Sequence, residues 1–313
     1  MIKYLKYTEI DFDKWDACIS KAFNGLIYAY SWYLNMVSER WEALVENDYE
    51  RVMPLTRGHK MGLDYLFQPR FTQQLGVFSK NLLTSEIVNS FIDAIPKKYQ
   101  FIEINLNTLN NIENPGKHFH RWKNHELDLI ATYENIRNSY SQNLKRNLKK
   151  ASQAKLTLVK NIKPENIISL FRENKGKELG NLCEADYRLL QRMIYVMIYK
   201  RMAATYGICD ENNTLIAGIF FVFSHKKAIF YFSATNQKAR ETLAMPFLID
   251  RFISENSGSH LTLDFEGSNN ENLARFYKSF GAAEITYLHY LKNDMSPLLK
   301  AGLHVYKFFR KIL

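Results

Sequence analysis

Hydrophobic and polar residues change their period many times along this chain, and each change predicts an element. Residues 1–7 alternate like a short strand. Residues 11–22 follow with helical spacing, and Asp11 or Asp13 serves as the cap. Residues 30–39 suit a second, short helix. Two apolar runs, 41–45 and 51–56, flank residues 46–50 as a hairpin, and 61–67 reads as the next strand. Leu82, Leu83, Ile87, Val88, Phe91, Ile92 and Ile95 then fall at helical spacing until Pro96 stops them. Residues 101–105 alternate as a strand.

The second half repeats this order. Residues 164–172 and 186–205 read as helices, the latter apolar on nearly every side and so deeply buried. Runs 206–209 and 215–223 flank 210–214 as a hairpin, and 224–227 turn into a strand at 228–235. A helix at 240–254, a strand at 261–265 and a helix carrying 272–282 complete the set. The offset between the halves is roughly 160 residues with negligible identity, a repeat of element order and not of sequence. The expectation is an α/β (α+β) fold with mixed sheets, helices on their faces, and two related domains in tandem. These would span 1–135 and 136–295, with an amphipathic tail at 296–313.

Charge sharpens the middle of the chain. The net charge is +10 with a pI near 9.3, which favours an anionic partner: nucleic acid, a nucleotide-bearing substrate or a membrane surface. No Asp or Glu occurs from Asn135 to Pro164. There the spacing predicts a helix over 140–155 capped by Ser139. Tyr140, Leu144, Leu148 and Ala151 fall on one face, and Lys145, Arg146, Lys149 and Lys150 on the other. Such a helix either docks with a solvated basic back or presents phosphate contacts. The tail sets Leu298, Leu299, Leu303, Val305, Tyr306, Phe309 and Ile312 against Lys300, Lys307, Arg310 and Lys311. It either caps a domain or makes a peripheral contact with an anionic membrane.

Composition narrows the class further. At 46% hydrophobic content, 313 residues fill one large or two medium domains. Cys18, Cys183 and Cys209 offer neither a disulfide framework nor a zinc pattern, which suits a reducing cytoplasm. The charged N-terminus does not read as a signal peptide, and no run reaches the roughly 18 apolar residues of a membrane span. Localisation is expected to be cytoplasmic or membrane-peripheral. Nothing in the sequence sets the oligomeric state.

Several short motifs now combine. The strand ending in Asp264-Phe-Glu-Gly267 precedes Ala274-Arg-Phe-Tyr-Lys-Ser-Phe-Gly-Ala282, which resembles the back half of a GNAT-type acyltransferase domain. Ser141-Gln-Asn-Leu-Lys-Arg-Asn-Leu-Lys-Lys-Ala151 resembles the basic segment joining the tandem domains of the Fem family of peptidoglycan peptidyltransferases. Tyr65-Leu-Phe-Gln-Pro-Arg-Phe-Thr-Gln-Gln-Leu-Gly76 is similar to that family's Tyr-x-x-Pro-Arg-Gly-Pro loop, with Phe71 and Thr72 in place of Gly-Pro. Tyr231-Phe-Ser-Ala234 resembles its "Y-x-(S/A)" strand end.

The resemblance implies two acyl-CoA N-acyltransferase-like domains, with an aminoacyl group passing from aminoacyl-tRNA to an amine, in that family on a cell-wall precursor. It implies an acceptor cleft involving Tyr65, Arg70, Gln73 and Gln74, with Lys177 and Tyr187 as further substrate contacts. It places the donor against Tyr231, Ser233, Asn236 and Arg240, with its phosphates near Lys145, Arg146, Lys149 and Lys150. The interval 164–207 is too short for the coiled-coil arm that some members carry.

The chemistry demanded is modest. Aminolysis needs a neutral amine aimed at the carbonyl, donors for the oxyanion and a proton for the leaving group. Asp264 and Glu266 are candidate proton acceptors, and strand alternation puts them on one side. Tyr277 is the candidate leaving-group acid, although its neighbours Phe276 and Phe280 also suit a core helix. A CoA cradle needs glycines at a helix start. Residues 236–244 have none, so acyl-CoA is the less favoured donor, while Gln73-Gln-Leu-Gly76 matches such a cradle loosely. His118, His120 and His125 fall in a polar segment read as a loop, without metal-ligand spacing, so no metal is expected. No arrangement for a covalent nucleophile is readable. Two alternatives stay open: a CoA-dependent N-acetyltransferase of a small-molecule amine, and a non-catalytic RNA- or lipid-binding module.

Overall fold

Capping side chains and left-handed turns decide where the elements begin and end. The computed structural model describes residues 1–60, 62–177, 182–267 and 269–295, so the tail expected at 296–313 lies outside the described residues. The chain opens with β1 (Ile2–Leu5), α1 (Phe12–Lys21), α2 (Ser31–Val37), β2 (Glu42–Glu46), β3 (Arg51–Leu55), β4 (Arg57–Lys60), β5 (Leu63–Phe67), β6 (Phe78–Ser79), α3 (Ser85–Asp93) and β7 (Phe101–Asn105). β8 (Phe119–Asp128) leads to α4 (Tyr133–Asn138), α5 (Gln142–Ala151), β9 (Thr157–Lys160) and α6 (Pro164–Phe171), which runs on as one wider turn, Arg172–Gly176. Then come α7 (Glu184–Tyr199), β10 (Ala203–Cys209), β11 (Leu215–Ser224), β12 (Lys227–Thr235), α8 (Gln237–Glu241), α9 (Ala244–Asn256), β13 (Thr262–Gly267), α10 (Glu271–Lys278) and β14 (Ala283–Asn293).

These elements form two compact units, Met1–Arg121 with 287–295, and Trp122–Thr286. The division differs from the expected 1–135 and 136–295. Residues 124–128 of β8 pair with β13, which ties the segment after 122 to the second unit. β14 returns the chain to the first.

In the first unit β1, β2, β3 and β6 form an antiparallel sheet. β5 pairs antiparallel with β4 and parallel with β7, and β7 pairs antiparallel with the end of β14. Their apolar faces enclose Leu44, Met53, Leu66, Ile102 and Leu288 against Val88 and Phe91 of α3. Thr84 caps that helix by accepting from the Ile87 N–H at 3.4 Å.

In the second unit β9, β10, β11 and β12 run antiparallel in that order. β12 then pairs parallel with β13, and β13 antiparallel with β8. Helices α5 and α9 cover this sheet through Leu144, Leu148, Phe247, Leu248 and Phe252. The rings of Phe252 and Phe221 stack with centroids 3.7 Å apart. Each such side chain, fully buried, contributes about 1.5–3 kcal/mol.

Four expected elements are corrected. The basic helix is broken: α4 ends at Asn138, and Ser141, not Ser139, caps α5 by accepting from the Leu144 N–H at 3.2 Å. The Ser141 N–H is itself bonded to the Ser279 carbonyl at 2.9 Å, so the α4–α5 turn is pinned to the end of α10. The apolar helix stops at Tyr199, not 205, because Arg201 takes a left-handed conformation (φ 57°). Bonds from Arg201 N to Ile198 O and from Met202 N to Met197 O close that helix end. Helix 240–254 is instead α8 and α9, divided by Leu243 at φ 59°. Residues 118–125, read as a loop, lie largely in β8.

Gly281 ends α10 at φ +82°, and a Cβ there would sit 2.1 Å from the Ser139 hydroxyl. Gly281→Ala is therefore expected to destabilise the protein by about 2 kcal/mol or more. Chemical denaturation measures this, and a change under about 0.5 kcal/mol would contradict the packing.

Candidate active site

The site is built where two parallel strands part company. β12 and β13 pair only from Lys227–Ile229 to Thr262–Asp264; among the described residues no ladder joins them beyond that point. Phe230–Thr235 and 265–267 therefore flank an opening at the carboxyl ends of the strands, the usual place for a ligand in a sheet with parallel strands. Two bulges shape the opening. Against β11, Phe220 pairs with Phe232 and Phe221 with Phe230, which leaves Tyr231 as the extra residue. On β13 the register with β8 shifts between Asp264 and Gly267, and Glu266 takes φ 62°.

Asp264 makes the second bulge. One carboxylate oxygen accepts from the Glu266 backbone N–H at 2.9 Å and from Asn124 Nδ2 at 3.0 Å. The other accepts from Lys227 Nζ at 3.0 Å. Lys227 also donates to Glu126. Burial works against the Lys227 charge, but Asp264 and Glu126 more than offset it and hold its pKa above the ordinary lysine value. Burial, and next the Asp264 carboxylate, push the Glu126 pKa up. Asp264 is only 3% exposed. It holds the backbone and is not open to a substrate, while Glu266 is half-buried. Strand alternation predicted a shared side for the two acids; the left-handed backbone at Glu266 interrupts it.

Tyr277 lies on α10 with its ring stacked on Phe265, centroids 4.7 Å apart. Burial, and then Glu266, push its pKa up to about 12, so the phenol keeps its proton at neutral pH. The His125 ring is 5.8 Å from it and fully buried. Burial holds that imidazole below its ordinary value, and both ring nitrogens lack a hydrogen bond among the described residues. No group of three or more His, Cys, Asp or Glu there is placed to hold a metal ion.

Other expected contacts separate into two groups. Tyr231 hydrogen-bonds Met193 Sδ at 3.9 Å, and Phe232 packs on Phe171, which also meets Tyr187. The Arg172 guanidinium lies 4.6 Å over the Tyr187 ring. Tyr187 and Tyr231 thus flank one aromatic cluster, with Ser233 half-buried further along β12 and Lys177 exposed at the end of the turn after α6. Asn236 instead caps α8, accepting from the Ala239 N–H at 2.9 Å, and Arg240 is exposed on that helix. In the first unit, Arg70 is exposed on a loop held by amides. Asn105 bonds Gln68 and the Gln73 carbonyl, and Tyr33 donates to the Phe71 carbonyl at φ 61°. Gln74 is buried there and accepts from the Thr108 N–H, so it builds the loop. Tyr65 lies over Gly58, where a Cβ would fall 2.3 Å from its ring.

A groove of about 520 Å³ opens in the second unit beside α5, the start of α9, and α10. Ser141, Asn143, Asn147, Asn272 and Arg275 supply its polar lining. Helix α10 follows β13, and α9 follows β12 after the short α8. None of Lys145, Arg146, Lys149 and Lys150 lines the groove, although all share α5 with its lining residues. Lys278 reaches the groove but is tied to Glu284 at 2.6 Å.

The sequence reading missed Lys227, Glu126, Asn124 and Arg275. The signal for β8 was present: Asn124, Glu126 and Asp128 alternate with His125, Leu127 and Leu129.

No protein-family model matches the chain, and no curated protein matches it in sequence. Its fold is known among solved structures. The FemX crystal structure superposes with a TM-score of 0.65 at 12% identity, over 96% of this chain and 99% of that one. A conserved protein of unknown function from Bacteroides thetaiotaomicron gives 0.57 at 12% identity, over 93% and 100%. L-PGS from Bacillus licheniformis gives 0.52 at 11% identity, over 95% of each chain. The chain thus has a mixed α/β, GNAT-like fold like that of FemX.

The buried charges predict unequal responses. Lys227→Met leaves two carboxylates without their cation and is expected to cost about 3 kcal/mol at neutral pH, the low end for a buried pair because the ammonium is partly exposed. A carboxyl whose folded pKa is raised favours the fold below its ordinary range and loses that contribution as pH rises. The Lys227→Met deficit should therefore shrink as pH falls and Glu126 takes up a proton. Glu126→Gln, which mimics that state, should be at least as stable as the parent at neutral pH. Denaturation across pH checks both, and a deficit that grows on acidification would contradict the cluster.

Proposed function

We propose that the second unit transfers an aminoacyl group from aminoacyl-tRNA to an amine, on a cell-wall precursor in the reading closest to the Fem family. The observation that carries this is the opening between β12 and β13, edged by Tyr231 and Glu266, with the Tyr277 ring stacked on Phe265 of β13. The shared fold supports acyl transfer as the reaction class.

In this mechanism the amine lone pair forms the new N–C bond, and the ester C–O bond to the tRNA ribose breaks. Glu266 takes the proton released by the amine, directly or through water. The Tyr277 phenol supplies a proton to the departing oxygen, and the proton held by Glu266 returns to the phenolate through water, which restores both groups. Asp264 acts at one remove, holding the Glu266 backbone. The groove beside α5 and α10 receives the carrier, with Arg275 in its wall and Lys145, Arg146, Lys149 and Lys150 nearby on α5 to meet phosphates. The glycine-free run 236–244 gives a pyrophosphate less access to backbone N–H groups, which weighs against acyl-CoA.

The test is a transfer assay with an amine-bearing peptidoglycan precursor and either charged tRNA or acyl-CoA. Product from charged tRNA is expected. Thiol release from acyl-CoA alone would overturn the donor assignment, and no transfer from either would overturn the reaction class. Glu266→Gln should lower kcat about 100-fold. Arg275→Ala should raise the donor KM about tenfold with kcat little changed; a pure kcat effect would contradict its place in the groove.

A further inference from the structure

Helix α7 presents an outer face that neither the proposed transfer site nor the core uses. Its exposed row runs Arg188, Arg192, Tyr195 and Tyr199, spaced three or four residues apart, with Ile198 at the edge. Tyr199 is 88% exposed, Tyr195 45% and Ile198 36%. Lys200 and Arg201 extend the row past the helix end. The Phe223 N–H bonds the Met202 carbonyl at 2.7 Å, which brings the turn carrying exposed Lys226 alongside. The acids nearby are already occupied: Glu165 accepts from Tyr195 and Gln191, and Glu184 pairs with Arg172. Among the described residues Arg188, Arg192 and Arg201 make no ion pair. Arg188 and Arg192 are like charges one turn apart, which an isolated helix disfavours and an anionic surface relieves.

We propose that this face docks on an anionic lipid bilayer. Tyr195 and Tyr199 belong at headgroup depth, Ile198 reaches the acyl boundary, and the cations meet lipid phosphates. Two features favour a bilayer over RNA. The face is the convex side of a helix, not a groove that tracks a strand, and it includes an exposed aliphatic side chain, which stacking bases do not need. The basic face of α5 makes the contrast: Lys149 and Lys150 are exposed there with no exposed aromatic or aliphatic side chain on the same helix.

Vesicle co-sedimentation tests the proposal. The full chain should sediment with phosphatidylcholine vesicles containing phosphatidylglycerol and not with pure phosphatidylcholine. At about fivefold per cation, R188Q/R192Q should weaken partitioning about 20-fold. I198S/Y199S, which removes apolar contact at unchanged charge, should weaken it about tenfold. K149Q/K150Q makes the same charge change elsewhere and should weaken it less than about threefold. All these side chains are exposed, and thermal melts check that the variants fold. Equal losses in the two charge variants would show general basicity and overturn the proposal, as would unchanged partitioning of I198S/Y199S. Single-stranded RNA binding that depends on Tyr199, in a protein that ignores the vesicles, would assign the face to RNA and also overturn it.

Discussion

The hold of Asp264 on its own strand is what the rest of the site depends on. A parallel pair of strands closes by default, since each backbone group seeks a partner. Here a side-chain carboxylate takes the Glu266 N–H, turns the backbone left-handed and ends the ladder. A charged acceptor holds such a bond more firmly than a neutral one. The carboxylate must stay charged while nearly buried, and Lys227 and Asn124 provide for that. Glu126 shares the lysine, and burial together with the Asp264 charge pushes its carboxyl above the ordinary value. Opening, bulge and ion cluster are one arrangement seen from three strands.

This arrangement separates the roles that two neighbouring acids seemed to share. Asp264 is saturated with donors and buried, so it acts through the backbone. Glu266 is half-buried. Tyr277 stacks on Phe265, and burial, then Glu266, pushes its pKa up to about 12. The groove by α5 adds a second region in the same unit, lined by Arg275 and the amides Asn143, Asn147 and Asn272.

Much of the fold was legible in the sequence because periodicity survives in helices and hairpins. The second-half hairpin, the strand at 228–235 and the helix over Ala274 and Tyr277 all carried clear patterns. Two of the misplaced boundaries share one cause. Arg201 and Leu243 take left-handed conformations that sequence reading assigns to glycine, so two helix ends went unmarked. The candidate site was only half legible. A motif singled out Asp264, Glu266 and Tyr277, but the arrangement that holds Asp264 depends on Lys227, Glu126 and Asn124. Those residues lie far apart in the chain and meet only when β8, β12 and β13 pair. Gln74 and Asn236 were expected as substrate contacts from the family resemblance; in the structure Gln74 accepts from the Thr108 N–H and Asn236 caps α8.

A double-mutant cycle in the transfer assay tests the central claim most directly. If Asp264 acts by placing Glu266, then combining Asp264→Asn with Glu266→Gln slows turnover no more than the slower single change. Losses that multiply, in proteins shown to be folded, would mean that the two carboxylates act independently and would contradict the account.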